Sequence, residues 1–284
     1  MIKSLTDLIF ELEQQNVIVH DVDMRDMKGR AYISKLEQRT KYSFVVLEQP
    51  DYDKQKQQFL VKEVYFLVLY NILLIYDPHQ SRYIDQFFSE VDQDQFKHIT
   101  PASLLVEMLD FFSVQMYRSI PKFNQEVTFI QEFILDETND NDLIGKVHRI
   151  KRNLITFNSI LEPILDLNKA MLLHKEFSNT EESSDMLEEY SDRIQKVIKS
   201  IRNFERQMDL LSQSNESQIA RKTNKNLGLL TTVNAVLLLP PIVFDTFLLF
   251  KGYSISTAEL ILTLISLIIL IVITIFFLKK QKII

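Results

Sequence analysis

The chain has 284 residues, a formal net charge of −6 and no cysteine. The missing cysteines exclude disulfide bonds, thiol nucleophiles and thiolate metal sites, and only four glycines leave no glycine-rich phosphate loop. The acidic balance argues against a nucleic-acid-binding surface, which needs a basic excess. No nucleophile, base and orienting group can be paired from the sequence, so we expect neither an enzyme nor a bound cofactor.

Charged residues are almost absent from one part of the chain. Between residues 227 and 278 only Asp245, Lys251 and Glu259 carry a charge, whereas charged side chains are frequent before residue 227. The first residues contain no apolar stretch of the secretory-signal type. We therefore expect a charged cytoplasmic body followed by a membrane part.

Residues 1–100 are expected to form a cytoplasmic α/β domain. The last of its apolar segments is long enough for two strands with a turn around residues 69–71, and breaks are expected at residues 49–51 and 77–78. Residues 83–89 have the pattern of a short helix. β-branched and aromatic residues indicate strands at residues 17–19, 42–47 and 59–76.

After Thr100 the hydrophobic period changes from two residues to three and four. Thr100 is a suitable N-cap, with Pro101 in the first helical position. We expect three long helices with heptad seams, forming a stalk over residues 101–226, with polar segments at 136–142 and 178–184. The seam residues are Ile120, Phe123, Val127, Ile130 and Ile134, then Val147, Ile150, Leu154, Phe157, Leu161 and Ile164, then Leu187, Tyr190, Ile194, Val197, Ile201, Phe204, Met208 and Leu211.

The third seam has no proline or glycine before residue 227, so nothing in it forces the helix to stop before the apolar region. A continuous helix over residues 187–250 would be roughly 95 Å long at 1.5 Å per residue. The alternative is a break at the polar cluster of residues 212–217. We favour the continuous helix, because polar residues within a heptad series are often only its solvated stretches.

Two apolar runs, residues 227–250 and 260–278, have the length of transmembrane helices, which need about 20 residues. Residues 251–259 are sufficient for a short external loop. By the positive-inside rule both termini are cytoplasmic, as in a multi-pass protein of the plasma membrane. The basic residues that set this orientation are Arg221, Lys222 and Lys225 before the first run, and Lys279, Lys280 and Lys282 in the cytoplasmic tail, residues 279–284.

The first apolar run carries a polar stripe along one face. At 100° per residue its members fall within an arc of roughly 100°. Amide, hydroxyl and carboxylate groups cost several kcal/mol against lipid, so they should face protein or water. Several copies of this helix around an axis would hide the stripe and line a pore. The stripe consists of Asn224, Leu227, Thr231, Asn234, Leu238, Pro241 and Asp245.

Other interpretations of the stripe stay open. Thr231 and Thr232 can bond carbonyls of their own helix, and Asn234 can join neighbouring helices. Asp245 is about 8 Å from the outer end of the run and can reach the interface. Because all these groups share one face, we favour a water-filled path for ions.

The layout resembles that of the CorA family of divalent metal ion transporters. The resemblance covers nearly the whole chain: an α/β body, a helix that starts at Thr100-Pro101, the sequence Lys222-Thr223-Asn224 before the first span, two spans and a basic tail. It implies a homopentamer whose first span lines the pore, with membrane lipids and metal cations as partners and no nucleic acid. Lys279, Lys280 and Lys282 would form a basic ring.

The family signature Gly-Met-Asn, which forms the filter at the outer mouth of the pore, is missing here. Residues 247–253 read Phe-Leu-Leu-Phe-Lys-Gly-Tyr instead. We expect transport of Mg²⁺ or a related divalent ion, with Asp245 as the metal-binding residue; the alternative is a non-conducting membrane-anchored scaffold or sensor. The pairs Asp21/Asp23, Asp51/Asp53 and Asp92/Asp94 either bind regulatory cations between subunits or lie in solvated loops.

Overall fold

The computed structural model describes residue 2, residues 4–90, 99–135 and 143–251, and the short stretches 256–258, 261–262, 264–266, 268–269 and 272. These residues divide into two compact units, Met1–Ser212 and Gln213–Ile284.

The first unit contains an antiparallel sheet in which neighbouring strands are consecutive in the chain. The α+β class predicted from the sequence is confirmed. The strands are β1 (Lys35–Gln38), β2 (Ser43–Asp53), β3 (Gln58–Val68) and β4 (Leu73–Tyr76). The helices are α1 (Leu5–Gln14), α2 (Asp21–Lys28), α3 (Arg82–Glu90), α4 (Pro101–Tyr117), α5 (Ile120–Leu135), α6 (Leu143–Leu173) and α7 (Glu181–Lys251).

Both faces of the sheet are covered, which explains the continuous apolar runs at residues 44–47 of β2 and 64–68 of β3. Phe44 and Val46 belong to a cluster that includes Leu8 of α1. Val45 and Leu47 belong to a second cluster that includes residues of α3 to α7. All of these side chains are fully buried. Successive residues of β2 therefore serve opposite faces, and the sheet separates the N-terminal helices from the long ones.

The predicted pair of strands within residues 59–76 is present as β3 and β4. The Leu69 N–H donates to the Ile72 carbonyl at 2.9 Å and closes the turn between them. The short helix expected at residues 83–89 is α3.

Two predictions in this unit are wrong. Residues 17–19 are not a strand but a link between α1 and α2, in which Val17 is buried and Ile18 is 91% exposed. The break expected at residues 49–51 is absent, because β2 continues to Asp53 with Pro50 opposite Val61. Since β1 pairs only with residues 43–46 of β2, Pro50 has a partner strand on one side only, where a missing N–H is tolerated.

The three heptad seams are confirmed as buried faces of α5, α6 and α7. All their members are buried except Ile120 and Leu211, which are partly buried. The predicted polar segment at residues 136–142 lies outside the described residues.

The first long helix is divided, contrary to expectation. Its start is as predicted, with the Thr100 hydroxyl accepting from the Ser103 N–H at 3.1 Å. However, α4 ends at Tyr117 and α5 begins at Ile120, immediately before Pro121. Proline has no N–H and disfavours helical geometry in the residue before it, so Pro121 fits the first turn of a new helix better than the interior of a long one.

Helix α7 runs without a break through the polar cluster at residues 212–217, as the continuous-helix prediction requires. Within the described residues it is the one helix long and apolar enough to cross a membrane, with an apolar stretch of mean hydropathy 2.0. Most of the second predicted span, residues 260–278, and all of the tail, residues 279–284, lie outside the described residues.

We expect Asn153→Ala to lower the free energy of unfolding by about 2 kcal/mol, because it leaves the buried Phe59 N–H unpaired and removes a second hydrogen bond to the Gln57 carbonyl. The buried Asn153 side chain accepts from the Phe59 N–H at 3.0 Å and donates to the Gln57 carbonyl at 3.1 Å, which ties α6 to the β2–β3 hairpin. Thermal unfolding of the full chain in detergent measures the effect. Arg152→Ala, at the exposed neighbouring position of α6, is the control and should unfold like the parent; equal stability of both variants would contradict the role of Asn153.

Candidate cation pathway

All seven residues of the predicted stripe lie on α7 and are exposed in the single chain. The two leucines, Leu227 and Leu238, are 55% and 59% exposed. The stripe therefore presents a continuous face of α7 that the described part of the chain does not cover. Such an exposed face can contact other copies of the helix or line a water-filled path.

The threonines use their protons within the helix. Thr231 Oγ1 donates to the Leu227 carbonyl at 2.8 Å, and Thr232 Oγ1 donates to the Gly228 carbonyl at 2.8 Å. The interpretation that these hydroxyls bond their own helix is thus confirmed. It does not remove Thr231 from the stripe, because a hydroxyl that has donated its proton retains lone pairs for accepting from the water shell of a cation.

The paired prolines create further acceptors in the middle of the apolar run. Pro240 and Pro241 have no N–H, so the helical partners of the Val236 and Leu237 carbonyls are missing, although α7 remains helical through them. Such carbonyl oxygens are tolerated at membrane depth where they meet water or protein. Together with the amide of Asn234, they concentrate uncharged acceptors along a short length of helix.

Asp245 is the one carboxylate between residues 227 and 250, and it is exposed. It lies two helical turns beyond Leu238 on the same face. A carboxylate is a preferred ligand of divalent cations, so Asp245 is the candidate cation-binding residue at that end of the stripe.

Two acidic pairs of the N-terminal part, Asp21/Asp23 and Asp51/Asp53, lie in the described residues, and neither belongs to a cluster that could hold a metal ion. Asp23 is fully buried: Arg39 donates to both of its oxygens at 2.5 and 2.9 Å, and the Tyr42 hydroxyl donates to one of them at 2.7 Å. Burial alone would raise the pKa of Asp23, but the hydrogen bonds from Arg39 and Tyr42 outweigh it and hold the pKa below the ordinary value of 3.8. Its lone pairs are thus already engaged.

The carboxylates of Asp51 and Asp53 also have partners within the β2–β3 hairpin. Asp51 pairs with Lys62 at 2.8 Å, and Asp53 accepts from the N–H groups of Gln55 and Lys56 in the hairpin turn. Asp92 and Asp94 lie outside the described residues. Across the described part of the chain, no group of three or more His, Asp or Glu side chains has the geometry to hold a metal ion.

An α/β body followed by a long helix that is apolar enough to cross a membrane, and polar along one face, is the architecture of a membrane ion transporter. The chain belongs to the CorA-like Mg²⁺ transporter protein family, whose model matches residues 6–280. Proteins of this family transport divalent cations and are not enzymes. A search of curated protein sequences finds no match.

Solved structures share the fold at low sequence identity. The complete CorA magnesium transporter from Methanocaldococcus jannaschii matches with a TM-score of 0.79 and 14% identity, covering 96% of this chain and 86% of that chain. The full-length CmaX protein matches with a TM-score of 0.72 and 11% identity, covering 96% and 84%. The cytoplasmic domain of ZntB from Vibrio parahaemolyticus matches with a TM-score of 0.58 and 12% identity, covering 76% and 84%.

The matches to two full-length structures extend the likeness well beyond the N-terminal unit. The sequence features that pointed to the family, the stalk helix and the Lys222-Thr223-Asn224 segment, lie within the matched residues. The Val236 and Leu237 carbonyls, which Pro240 and Pro241 leave without a helical donor, belong to residues outside the predicted stripe. Their signal was present in the sequence, because a proline always removes the hydrogen-bond partner of the carbonyl four residues earlier.

Proposed function

We propose that the protein is a homo-oligomeric channel for divalent cations, Mg²⁺ or a related ion, in which the stripe of α7 lines the pore. The observation that carries this proposal is the position of Asn234 and Asp245 on one exposed face of a helix apolar enough to cross a membrane. A single copy leaves these groups against lipid, whereas a ring of copies places them around water.

The family supports the remaining features of the assembly. A pentamer, a first span at residues 227–250, an external loop at 251–259 and a second, lipid-facing span at 260–278 make a plasma-membrane channel with both termini in the cytoplasm. The α/β domain at residues 1–100 and the stalk at 101–226 would then be the cytoplasmic part of the protein. Lys279, Lys280 and Lys282 would form the basic ring and attract anionic head groups by about 1 kcal/mol per charge.

Each part of the stripe has a distinct task in this pathway. Rings of Asp245 attract cations, and the amide of Asn234 and the oxygen of Thr231 accept from the water shell of a passing ion. Asn224 does the same at the cytoplasmic end. Rings of Leu227 and Leu238 are apolar constrictions that can close the path by excluding water. Pro241 has no N–H and therefore leaves the Leu237 carbonyl without a helical donor. The membrane potential drives the ion through.

A first test is the mass of the assembly. The purified protein in mild detergent should form a closed homo-oligomer, five copies by family likeness, because only an assembly removes the stripe from lipid. Native mass spectrometry gives the copy number. A monomer in those conditions would remove the pore.

A second test is cation flux into liposomes that contain the purified protein. Parent protein should admit Mg²⁺ under an inside-negative potential, and Asp245→Asn should lower both the divalent flux and the preference for divalent over monovalent cations, since it keeps the size and removes the charge. An effect of about tenfold corresponds to a loss of about 1.4 kcal/mol of attraction.

The matched control is Thr246→Val, next to Asp245 and off the stripe. Thr246 donates its hydroxyl proton to the Ile242 carbonyl at 2.7 Å, so the change removes a polar group without altering the pore lining. Its flux should equal that of the parent. No flux from the assembled parent protein would support a non-conducting scaffold or sensor, and parental flux from Asp245→Asn would assign the ion attraction to another residue.

A further inference from the structure

The face of α7 that carries the stripe continues toward the N-terminal side of the helix. At 100° per residue, Glu216 lies about 20° around the helix from both Leu227 and Asp245, so it shares their face. It precedes Leu227 by about 17 Å along the helix axis, at 1.5 Å per residue. Glu216 belongs to the same unit as the stripe, and α7 is helical without a break between them. A carboxylate is therefore present on this face at both ends of the apolar stretch.

The basic residues of the same stretch lie on a different face. Each of them is about 120° or more around the helix from Glu216, whereas the two acidic residues are about 20° apart. Positive and negative side chains are thus separated around the circumference of α7, and the negative ones share the face of the stripe. Between residues 210 and 250 the acidic side chains are Glu216 and Asp245, and the basic ones are Arg221, Lys222 and Lys225.

Glu216 has no counter-ion in the described part of the chain. It is exposed and forms no hydrogen bond or ion pair with another described residue. Side chains three and four positions away are the neighbours of a helical residue, and none of those around Glu216 is basic. The preceding acidic residue of α7, Asp209, differs, because Lys151 of α6 pairs with it at 2.7 Å. The neighbours of Glu216 are Ser212, Gln213, Ile219 and Ala220.

The separation of charge has a direct consequence for a ring of copies. Basic side chains that faced the axis would repel a divalent cation just outside the membrane, where the ion passes between the stalk and the first span. On the other face of α7 the same side chains can meet anionic head groups. The axis is then left with the carboxylates, and a mouth lined by negative charge raises the local concentration of cations and the rate at which they enter or leave.

We propose that Glu216 is a further residue of the cation path and controls the flux of divalent cations through the inner mouth of the pore by electrostatic attraction. This inference rests on the proposed channel, in which residues before the first span are cytoplasmic. Copies of Glu216 surround the axis on the cytoplasmic side, as copies of Asp245 do toward the outer end. Glu216 acts through its charge on passing hydrated ions, so its effect depends on ionic strength.

Mg²⁺ flux into liposomes at low ionic strength tests this role with a series of charges at one position. Glu216→Gln should lower the flux about two- to threefold and Glu216→Lys should lower it further, because each makes the mouth less attractive to cations. Glu216→Asp keeps the charge and should conduct like the parent. The differences should shrink between about 0.01 M and about 1 M monovalent salt, where the Debye length falls from about 30 Å to about 3 Å.

The matched control is Ser214→Lys, an exposed position about 160° around α7 from Glu216. It adds a positive charge away from the path and should conduct like the parent. Native mass spectrometry of each variant verifies the assembly. A second measurement does not depend on conduction: spin labels on Glu216→Cys should be closer to one another in the oligomer than labels on Ser214→Cys, because the former face the axis.

The outcomes separate this inference from the proposed channel. A conducting parent whose flux is matched by Glu216→Gln and Glu216→Lys would overturn the role of Glu216 and leave the channel intact. An effect of Glu216→Gln that persists at high salt, an equal effect of Ser214→Lys and Glu216→Lys, or label distances at residue 216 that are not shorter would also overturn it. No flux from the assembled parent would overturn the channel and this inference with it.

Discussion

The central constraint in this protein is the cost of placing polar groups in hydrocarbon. Asn234 and Asp245 interrupt an otherwise apolar stretch of α7, and the described part of the chain leaves both exposed. Each such group costs several kcal/mol against lipid unless it meets protein or water. This cost is the reason for the proposed assembly, in which several copies of α7 surround the stripe and enclose a water-filled path for an ion.

Helix α7 combines two different patterns in one element. From Leu187 to Met208 its seam is buried in the first unit, where Asn168 of α6 donates to the Leu187 carbonyl at 2.8 Å and Arg193 contacts Asp110 of α4 at 2.5 Å. From residue 213 onward it belongs to the second unit, and its described residues are exposed or partly exposed. One helix thus carries both the domain contacts and the stripe.

Strong periodic signals made most of this architecture predictable. The seams of α5, α6 and α7 repeat every three and four residues for several turns, and their burial follows directly from that spacing. The stripe of α7 was equally accessible, because it needs only helical geometry. The cap at Thr100 and the two strands within residues 59–76 were also identified from local chemistry.

Other elements depend on contacts that no local pattern reveals. The β1 strand, Lys35–Gln38, has only four mostly polar residues and exists because β2 offers it an edge. Val17 and Val19 alternate like a strand but have no partner strand to pair with among the described residues. The α1 helix had a signal that was missed: the Ser4 side chain caps it, and Leu8 and Leu12 are buried one turn apart. The division between α4 and α5 follows from Pro121, which begins a new helix where the heptad spacing alone predicts a continuous one.

The absence of cysteine allows the central claim to be tested by site-specific thiol chemistry. In liposomes, Asn234→Cys places a thiol on the stripe, and Val233→Cys places one on the adjacent position, about 100° around the helix. A charged, water-soluble thiosulfonate reagent should block Mg²⁺ flux through Asn234→Cys and leave Val233→Cys unaffected. Equal sensitivity of the two variants, or flux through Asn234→Cys that survives complete modification, would contradict a pore lined by this face of α7.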